Sequence, residues 1–129
     1  MTIKQIYELA IKLGIQSDLR GQPVVQKKLK KEKVKYDSLN KEQKAEYDIE
    51  CLSNPFSDTR IYYGTPDTKV KRILTGIDID TGEIMMAQEL AKTKPIDLVI
   101  SHHPMGLGLA GLDEVMHIQA EIFALYGVP

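Results

Sequence analysis

The chain has 129 residues, of which 43% are hydrophobic and 27% charged, and its formal net charge is -1. This composition is typical of one globular domain with a sizeable core, so residues 1–129 are interpreted as a single domain. The near-neutral charge gives no general support for binding nucleic acid or an anionic membrane. No apolar run approaches the roughly 18 residues needed to span a bilayer. Cys51 is the only cysteine, which excludes an internal disulfide framework and favours a reduced, cytoplasmic protein.

The first predicted helix covers residues 3–13. Thr2 and Gln5 have the spacing of a capping box at its start. Gly14 is predicted to end it. The apolar residues of this segment recur at helical spacing, which indicates a packing helix without a functional role.

Residues 22–50 differ from the rest of the chain because lysines crowd their first part and acidic residues balance the second. The lysines are Lys27, Lys28, Lys30, Lys31, Lys33 and Lys35. A basic patch for phosphate or nucleic acid is one interpretation, and a solvated helical hairpin inserted into the domain is the other. We favour the hairpin, because nucleic-acid patches usually add aromatic or Arg contacts and only Tyr36 lies nearby. Ser38 or Asn40 is expected to cap its second helix.

Strands are predicted at residues 61–63, 70–79 and 96–100. Asp80 and Glu83 form a second capping box, which opens a helix between the last two strands. A strand–helix–strand unit of this length places its two strands parallel and usually adjacent. The predicted fold class is therefore α/β, with a parallel-strand sheet flanked by helices. The buried face of the crossover helix is expected to carry Ile84, Ala87, Leu90 and Ala91.

His102 and His103 directly follow the second of these parallel strands. The carboxyl ends of parallel strands form the ligand crevice of open α/β folds, so both imidazoles are candidate metal ligands. Pro104 favours an extended conformation at His103, and adjacent side chains of an extended chain diverge, which would suit one His per ion of a pair. Asp78 ends the preceding strand and is predicted at the same edge, as a ligand or as the acceptor of an imidazole hydrogen bond.

The last helix is predicted over residues 113–126, and its nearly all-apolar circumference indicates deep burial. The exception is a polar stripe that contains His117 and Glu121. Their spacing of four residues places them on one helical face, where they could chelate a metal. The alternative is that this stripe faces solvent. Both interpretations remain open. They are about equally favoured for His117, whereas the solvent-facing interpretation is favoured for Glu121.

The segment 97–104, which ends in His-His-Pro, resembles the NIF-three-like family, some of whose members are assigned as type-two GTP cyclohydrolase I. The resemblance extends through residues 57–64 and 70–78 and through the first helix. It therefore covers most of the chain except the Lys-rich segment.

The resemblance implies an α/β protein that binds two divalent ions per subunit (zinc, iron or manganese) and assembles as a homo-oligomer, often a hexameric ring. It implies that His102 and His103 are metal ligands and that Asp78 matches a characteristic aspartate near the site. Family members are longer and supply further ligands after the His pair. We therefore expect this chain to be a fragment, or a single lobe, that corresponds to the amino-terminal half.

Two functional hypotheses follow. The first is a metal-dependent hydrolase that acts on a small molecule or a nucleotide, with no assigned catalytic residue beyond the ligands. The alternative is a non-catalytic interaction or regulatory module in which the metal is structural or absent. It also stays open that the His pair binds no metal and only hydrogen-bonds to backbone groups at the sheet edge.

Overall fold

A computed structural model describes residues 1–128, and it shows a mixed fold in which helices flank a two-stranded parallel sheet. The predicted fold class is confirmed. The elements are α1 (Ile3–Ser17), α2 (Gln22–Ser38), α3 (Lys41–Glu46), a 3₁₀ helix (Ile49–Leu52), β1 (Ile73–Gly76), α4 (Thr81–Ala91), β2 (Leu98–Ser101), α5 (Gly106–Ala110) and α6 (Leu112–Leu125). Within residues 1–128, no helix is long and apolar enough to cross a membrane.

Helix α1 begins as the sequence predicts but ends later. The Thr2 side chain accepts from the Gln5 backbone N–H, and the Gln5 side chain accepts in return from the Thr2 backbone N–H. The prediction that Gly14 ends the helix is wrong, since α1 continues to Ser17. A Cβ at Gly14 would lie 2.8 Å from the Phe56 ring. This glycine therefore allows close packing of an aromatic ring and does not act as a helix stop.

The Lys-rich segment is helical, as predicted. Asn40 caps α3 and forms a capping box with Gln43. The rings of Tyr36 on α2 and Tyr47 after α3 pack with their centroids 5.2 Å apart, and this contact joins the two arms of the hairpin. Val25 is fully buried and anchors α2 to the rest of the molecule.

The sheet has the predicted parallel order, and its register pairs Ile73 with Leu98 and Gly76 with Ser101. Strand β1 is shorter than the predicted 70–79. Its first part is diverted, because the Asp97 carboxylate accepts the backbone N–H groups of Lys71 and Arg72 at 2.8 Å each. Those two backbone N–H groups therefore bond to a side chain rather than to a neighbouring strand.

The strand predicted at residues 61–63 is wrong. This segment is irregular, and Tyr62 and Tyr63 are exposed. Gly64 follows with a φ of 102°, a left-handed conformation that favours glycine. A β-branched and aromatic run is a weak strand signal on its own, because a strand also needs a neighbour with which to exchange backbone hydrogen bonds.

Helix α4 does not have the predicted buried face. Ala87 is buried and Ala91 is partly covered, whereas Ile84 and Leu90 are exposed, as is Met85. A sheet of two four-residue strands is too narrow to cover more of an 11-residue helix.

Helix α6 also differs from the prediction of deep burial, since none of its residues is buried. Its partly covered positions include the apolar Val115, Ile118 and Ile122, whereas Phe123 is exposed. On the polar stripe, Glu114 pairs with Lys28 and Glu121 pairs with Arg20, and both carboxylate side chains stay more than half exposed. The helix is therefore covered along one narrow apolar stripe only, whereas deep burial was predicted from its whole circumference.

Candidate metal centre

The backbone ladder between β1 and β2 continues beyond the two strands and positions the candidate site. The His102 N–H donates to the Gly76 carbonyl at 2.9 Å, and the His103 N–H donates to the Ile77 carbonyl at 2.8 Å. These two bonds hold the residues after β2 beside the residues after β1. Asp78, the next residue after Ile77, therefore lies within reach of the His103 ring.

Asp78 and His103 form the closest side-chain pair of the site. Asp78 Oδ1 lies 2.7 Å from His103 Nδ1. Because an ionised carboxylate can only accept, Nδ1 of His103 is the donor in this hydrogen bond, which leaves Nε2 as the ring nitrogen that faces other partners. Hydrogen bonding of the second ring nitrogen to a carboxylate is the usual support for a metal-binding histidine. The predicted role of Asp78 as a hydrogen-bond acceptor is thus present in the geometry.

The two imidazoles do not diverge as predicted. Their ring centroids are 5.1 Å apart, with an angle of 34° between the ring planes. Residues 102 and 103 lie in a bend instead of an extended chain. Ser101 stabilises this bend, because its hydroxyl lies 2.7 Å from the His103 carbonyl oxygen and 3.2 Å from that of Ile77. Alternation of side chains applies only where the backbone stays extended.

The donor set is chemically suited to a divalent ion. Two imidazoles that share a tetrahedral ion at Zn–N distances of about 2.0–2.1 Å hold their ring centroids about 5 Å apart. The observed 5.1 Å between His102 and His103 matches that spacing. The His103 side chain keeps 57% of its surface exposed, and Asp78 keeps 76%, so an ion has open access.

His117 does not join this cluster. It is exposed on α6, and its neighbour on the same face, Glu121, is engaged by Arg20. Within residues 1–128, no three His, Cys, Asp or Glu side chains form a group placed to hold a metal ion. The structure therefore pairs Asp78 with His103, places the two imidazoles side by side and leaves His117 apart.

Helix α5 begins at Gly106, four residues after His102. Its Gly108 approaches residues 58–62 closely, since a Cβ there would lie 2.8 Å from the Asp58 carbonyl oxygen. Gly106, with a φ of 51°, makes the turn into the helix. Asp80 lies outside the site and has the predicted capping role, because its backbone N–H donates to Glu83 at 2.9 Å.

Sequence reasoning missed a charge cluster around the buried side chain of Arg60. The side chain of Arg60 is only 5% exposed and lies 2.8 Å from both Asp48 and Glu50. Glu50 also accepts the Tyr7 hydroxyl. Burial and the Glu50 carboxylate raise the pKa of Tyr7 above its ordinary value. No local motif marks this cluster, since its members come from three separate segments of the chain.

A cavity of about 830 Å³ lies beside this charge cluster, between α1 and the 3₁₀ helix. Its walls include Tyr7, Ile11, Glu50 and Asn54. The candidate metal ligands do not line it, so the cavity and the His pair are separate features. Convergent polar groups in a cavity are a general mark of binding sites, but here Glu50 is already engaged by Tyr7 and Arg60.

Comparison with protein-family models, with curated proteins and with solved structures finds no significant match to this chain. The resemblance to the NIF-three-like family therefore rests on the motif residues alone.

Proposed function

We propose that this chain is a divalent-metal-binding protein of the NIF-three-like type, with His102 and His103 as ligands and Asp78 as the group that orients His103. The observation that carries the proposal is the 2.7 Å contact between Asp78 and His103, with the second imidazole 5.1 Å from the first. Two exposed imidazoles held side by side are poor core residues and good ligands. Zinc, iron and manganese are the candidate ions, and the resemblance implies two of them in the complete family site.

The proposed activity is hydrolysis of a small molecule, with a nucleotide suggested by the family resemblance alone. When bound, a divalent ion supplies a hydroxide nucleophile near neutral pH, because it lowers the pKa of a coordinated water. Asp78 would keep the His103 proton on Nδ1 and direct the Nε2 lone pair outward. The bend supported by Ser101 would keep the His102 ring on the same side.

The working form is proposed to be a cytoplasmic homo-oligomer. The free thiol of Cys51 supports a reducing compartment. The resemblance implies self-assembly, and the exposed apolar side chains of α4 and α6 support it. Nucleic acid is not proposed as a partner, since the net charge of -1 provides no sustained electrostatic attraction.

Elemental analysis of protein purified without chelator tests the metal proposal. Wild-type protein should carry near-stoichiometric metal, and the His102→Ala/His103→Ala double variant should carry none. His117→Ala is the matched control, because it removes the remaining histidine of the chain from an exposed position on another helix. Folded wild-type protein without metal, or a double variant that retains it, would refute the proposal.

A non-catalytic interaction or regulatory module is the second candidate, and one observation favours it. Within residues 1–128, no three His, Cys, Asp or Glu side chains form a group placed to hold a metal ion, and a catalytic zinc usually has three protein ligands. In such a module, the Lys-rich segment is a candidate docking surface, since Lys27, Lys30 and Lys31 are exposed on α2. Changing these three lysines to glutamate should weaken partner binding without changing metal content, whereas an enzyme should show the opposite sensitivity.

A further inference from the structure

The cavity between α1 and the 3₁₀ helix has the size and the lining of a small-molecule site. Its volume of about 830 Å³ lies within the range of about 300–1,000 Å³ that is usual for ligand pockets. Ile11, Ile49 and Ile61 supply apolar wall. Ile11 is buried, whereas Ile49 is 66% exposed. A ligand with an apolar body would remove the Ile49 side chain from water, which is favourable.

The polar part of the wall is held in place by buried neighbours. Asn54 is only 3% exposed, and its side chain donates to the Tyr7 hydroxyl at 2.9 Å and to the Thr59 carbonyl at 2.8 Å. Tyr7 in turn donates to one carboxylate oxygen of Glu50, and Arg60 lies 2.8 Å from the other. The Glu50 carboxylate is therefore fixed before a ligand arrives, which lowers the entropic cost of binding.

Although engaged, Glu50 keeps capacity for a further partner. Its side chain is 35% exposed. A carboxylate offers about four lone-pair positions, and Tyr7 and Arg60 each occupy one. Because the single guanidinium of Arg60 pairs with both Asp48 and Glu50, one negative charge of this cluster is unbalanced. A cation in the cavity would therefore be attracted to the wall at Glu50.

The remaining charges of the wall are also negative in excess. Glu8 and Lys4 both line the cavity and lie 3.9 Å apart, so their charges offset each other. Asp67 lines the cavity as well and is exposed. Within residues 1–128, no salt bridge involves Asp67. The wall thus carries two carboxylates, those of Glu50 and Asp67, whose negative charge exceeds that of the neighbouring cations.

We propose that this cavity binds a small organic cation, in which an ammonium group is attached to an apolar body. The ammonium group would lie toward Glu50 and Asp67, because it only donates hydrogen bonds and a carboxylate only accepts them. The apolar body would pack against the three isoleucines of the wall. An anionic ligand is disfavoured, since it would meet charges of its own sign. The inference goes beyond the proposed metal binding, because the candidate metal ligands do not line the cavity.

Three probes with the same apolar body and different head groups test the proposal. They are naphthylmethylamine, naphthalenemethanol and naphthoate, which are cationic, neutral and anionic near neutral pH. Each is titrated into the full chain, and the backbone amide signals in nuclear magnetic resonance report where and how tightly it binds. The amine should shift amides within residues 4–11, 49–54 and 61–67, and it should bind at least about fivefold more tightly than naphthoate.

Two wall variants separate the charged part of the site from the apolar part. Asp67→Asn should weaken the amine about two- to fivefold, as expected for an exposed charge pair, and leave naphthalenemethanol unchanged. Asp113→Asn is the matched control, because it removes the same charge from an exposed position on α6 that does not line the cavity. Ile49→Ala should weaken the amine and naphthalenemethanol alike, and the exposure of Ile49 makes this truncation safe for folding.

Specific results would overturn each part of the proposal. Naphthoate that binds as tightly as the amine would refute a cationic ligand, and so would equal effects of Asp67→Asn and Asp113→Asn on the amine. Shifts confined to residues outside the cavity, or no binding of any probe at millimolar concentration, would refute the site itself. Metal content does not enter this experiment, so a negative result here leaves the metal proposal standing.

Discussion

Arg20 Nη1 lies 2.6 Å from Glu121 Oε2, and this ion pair joins the loop after α1 to the last helix across 101 residues of sequence. The Arg20 side chain is 6% exposed, whereas that of Glu121 is 55% exposed. Arg20 also binds Asp18, through both carboxylate oxygens. Asp18 therefore holds the guanidinium in place, and Nη1 of Arg20 donates to the Glu121 carboxylate on α6.

Asp18→Asn should lower the free energy of unfolding by about 2 kcal/mol near pH 7, because a charged hydrogen-bond partner of a buried guanidinium is lost. The hydrogen bonds from Arg20 lower the pKa of Asp18 below its ordinary value. The contribution of Asp18 is therefore fully present above the unfolded-state pKa of about 3.9, and it is lost as the pH falls through the lower folded-state pKa. Denaturant unfolding at fixed protein concentration should show the difference between wild type and variant shrinking below about pH 4.

Asp37→Asn provides the control for this experiment. Its carboxylate pairs with Lys33 at 2.9 Å on the outside of α2, where both side chains are more than half exposed. Exposed helical pairs contribute about 0.3–0.5 kcal/mol. An equal loss of stability in the two variants would contradict a special role for the Asp18–Arg20 pair.

Asp78→Asn should weaken metal binding about 10- to 100-fold while the two imidazoles remain present. The amide is a weaker acceptor than the carboxylate that lies 2.7 Å from His103, so the ring loses its fixed tautomer and orientation. Isothermal titration of zinc into metal-stripped protein measures the change. Asp80→Asn, which keeps a good helix cap two residues away, should bind zinc like wild type. Equal affinities in the two variants would show that Asp78 does not support His103.

Gly108→Ala should destabilise the protein by about 1–3 kcal/mol, the usual cost of overpacking. The new methyl group would lie 2.8 Å from the Asp58 carbonyl oxygen, a backbone atom that cannot turn aside. Gly82→Ala on α4 is the matched comparison, because no atom lies within 4 Å of its Cβ position. It should be neutral or stabilise by up to about 1 kcal/mol through helix propensity. In thermal unfolding, the melting temperature should therefore fall for Gly108→Ala. It should stay unchanged or rise for Gly82→Ala.

The Cys51 thiol should react slowly with iodoacetamide in the folded protein. Burial raises the pKa of this thiol, and the Asp48 carboxylate nearby also disfavours the thiolate. Alkylation at pH 8.5 should be at least about tenfold slower in native than in denaturant-unfolded protein. Tyr63→Cys in a Cys51→Ser background is the control, because Tyr63 is 96% exposed. Native alkylation of Cys51 as fast as that of the control would contradict a protected thiol.

Local signals were sufficient for much of this fold. The capping pairs Thr2–Gln5 and Asp80–Glu83 mark helix starts that depend on residues three apart, so the sequence identifies them directly. The strand–helix–strand unit was predictable for a similar reason, because a crossover of this length constrains its strands to run parallel. That topology also predicted that Asp78 and the His pair share one edge of the sheet.

Features that depend on distant residues were not predictable. The ion pair between Arg20 and Glu121 joins two residues that no sequence period connects. The predicted strand 70–79 is shorter at its start, because the Asp97 carboxylate accepts hydrogen bonds from the backbone N–H groups of Lys71 and Arg72. The side-by-side arrangement of the two imidazoles depends on the Ser101 hydroxyl and a local bend. The prediction assumed an extended backbone, so it did not allow for that bend.

The register of β1 and β2 fixes the relative positions of the residues in the candidate centre. The pairing of Gly76 with Ser101 sets the distance between Asp78 and His103, whatever the length of the intervening helix and loops. Insertions within residues 82–94 would therefore leave the geometry unchanged, whereas one residue added between Ser101 and His103 would break the contact between the imidazole and Asp78. Variation in length across this unit should thus be tolerated in the crossover and excluded from the two short strand-to-site connections.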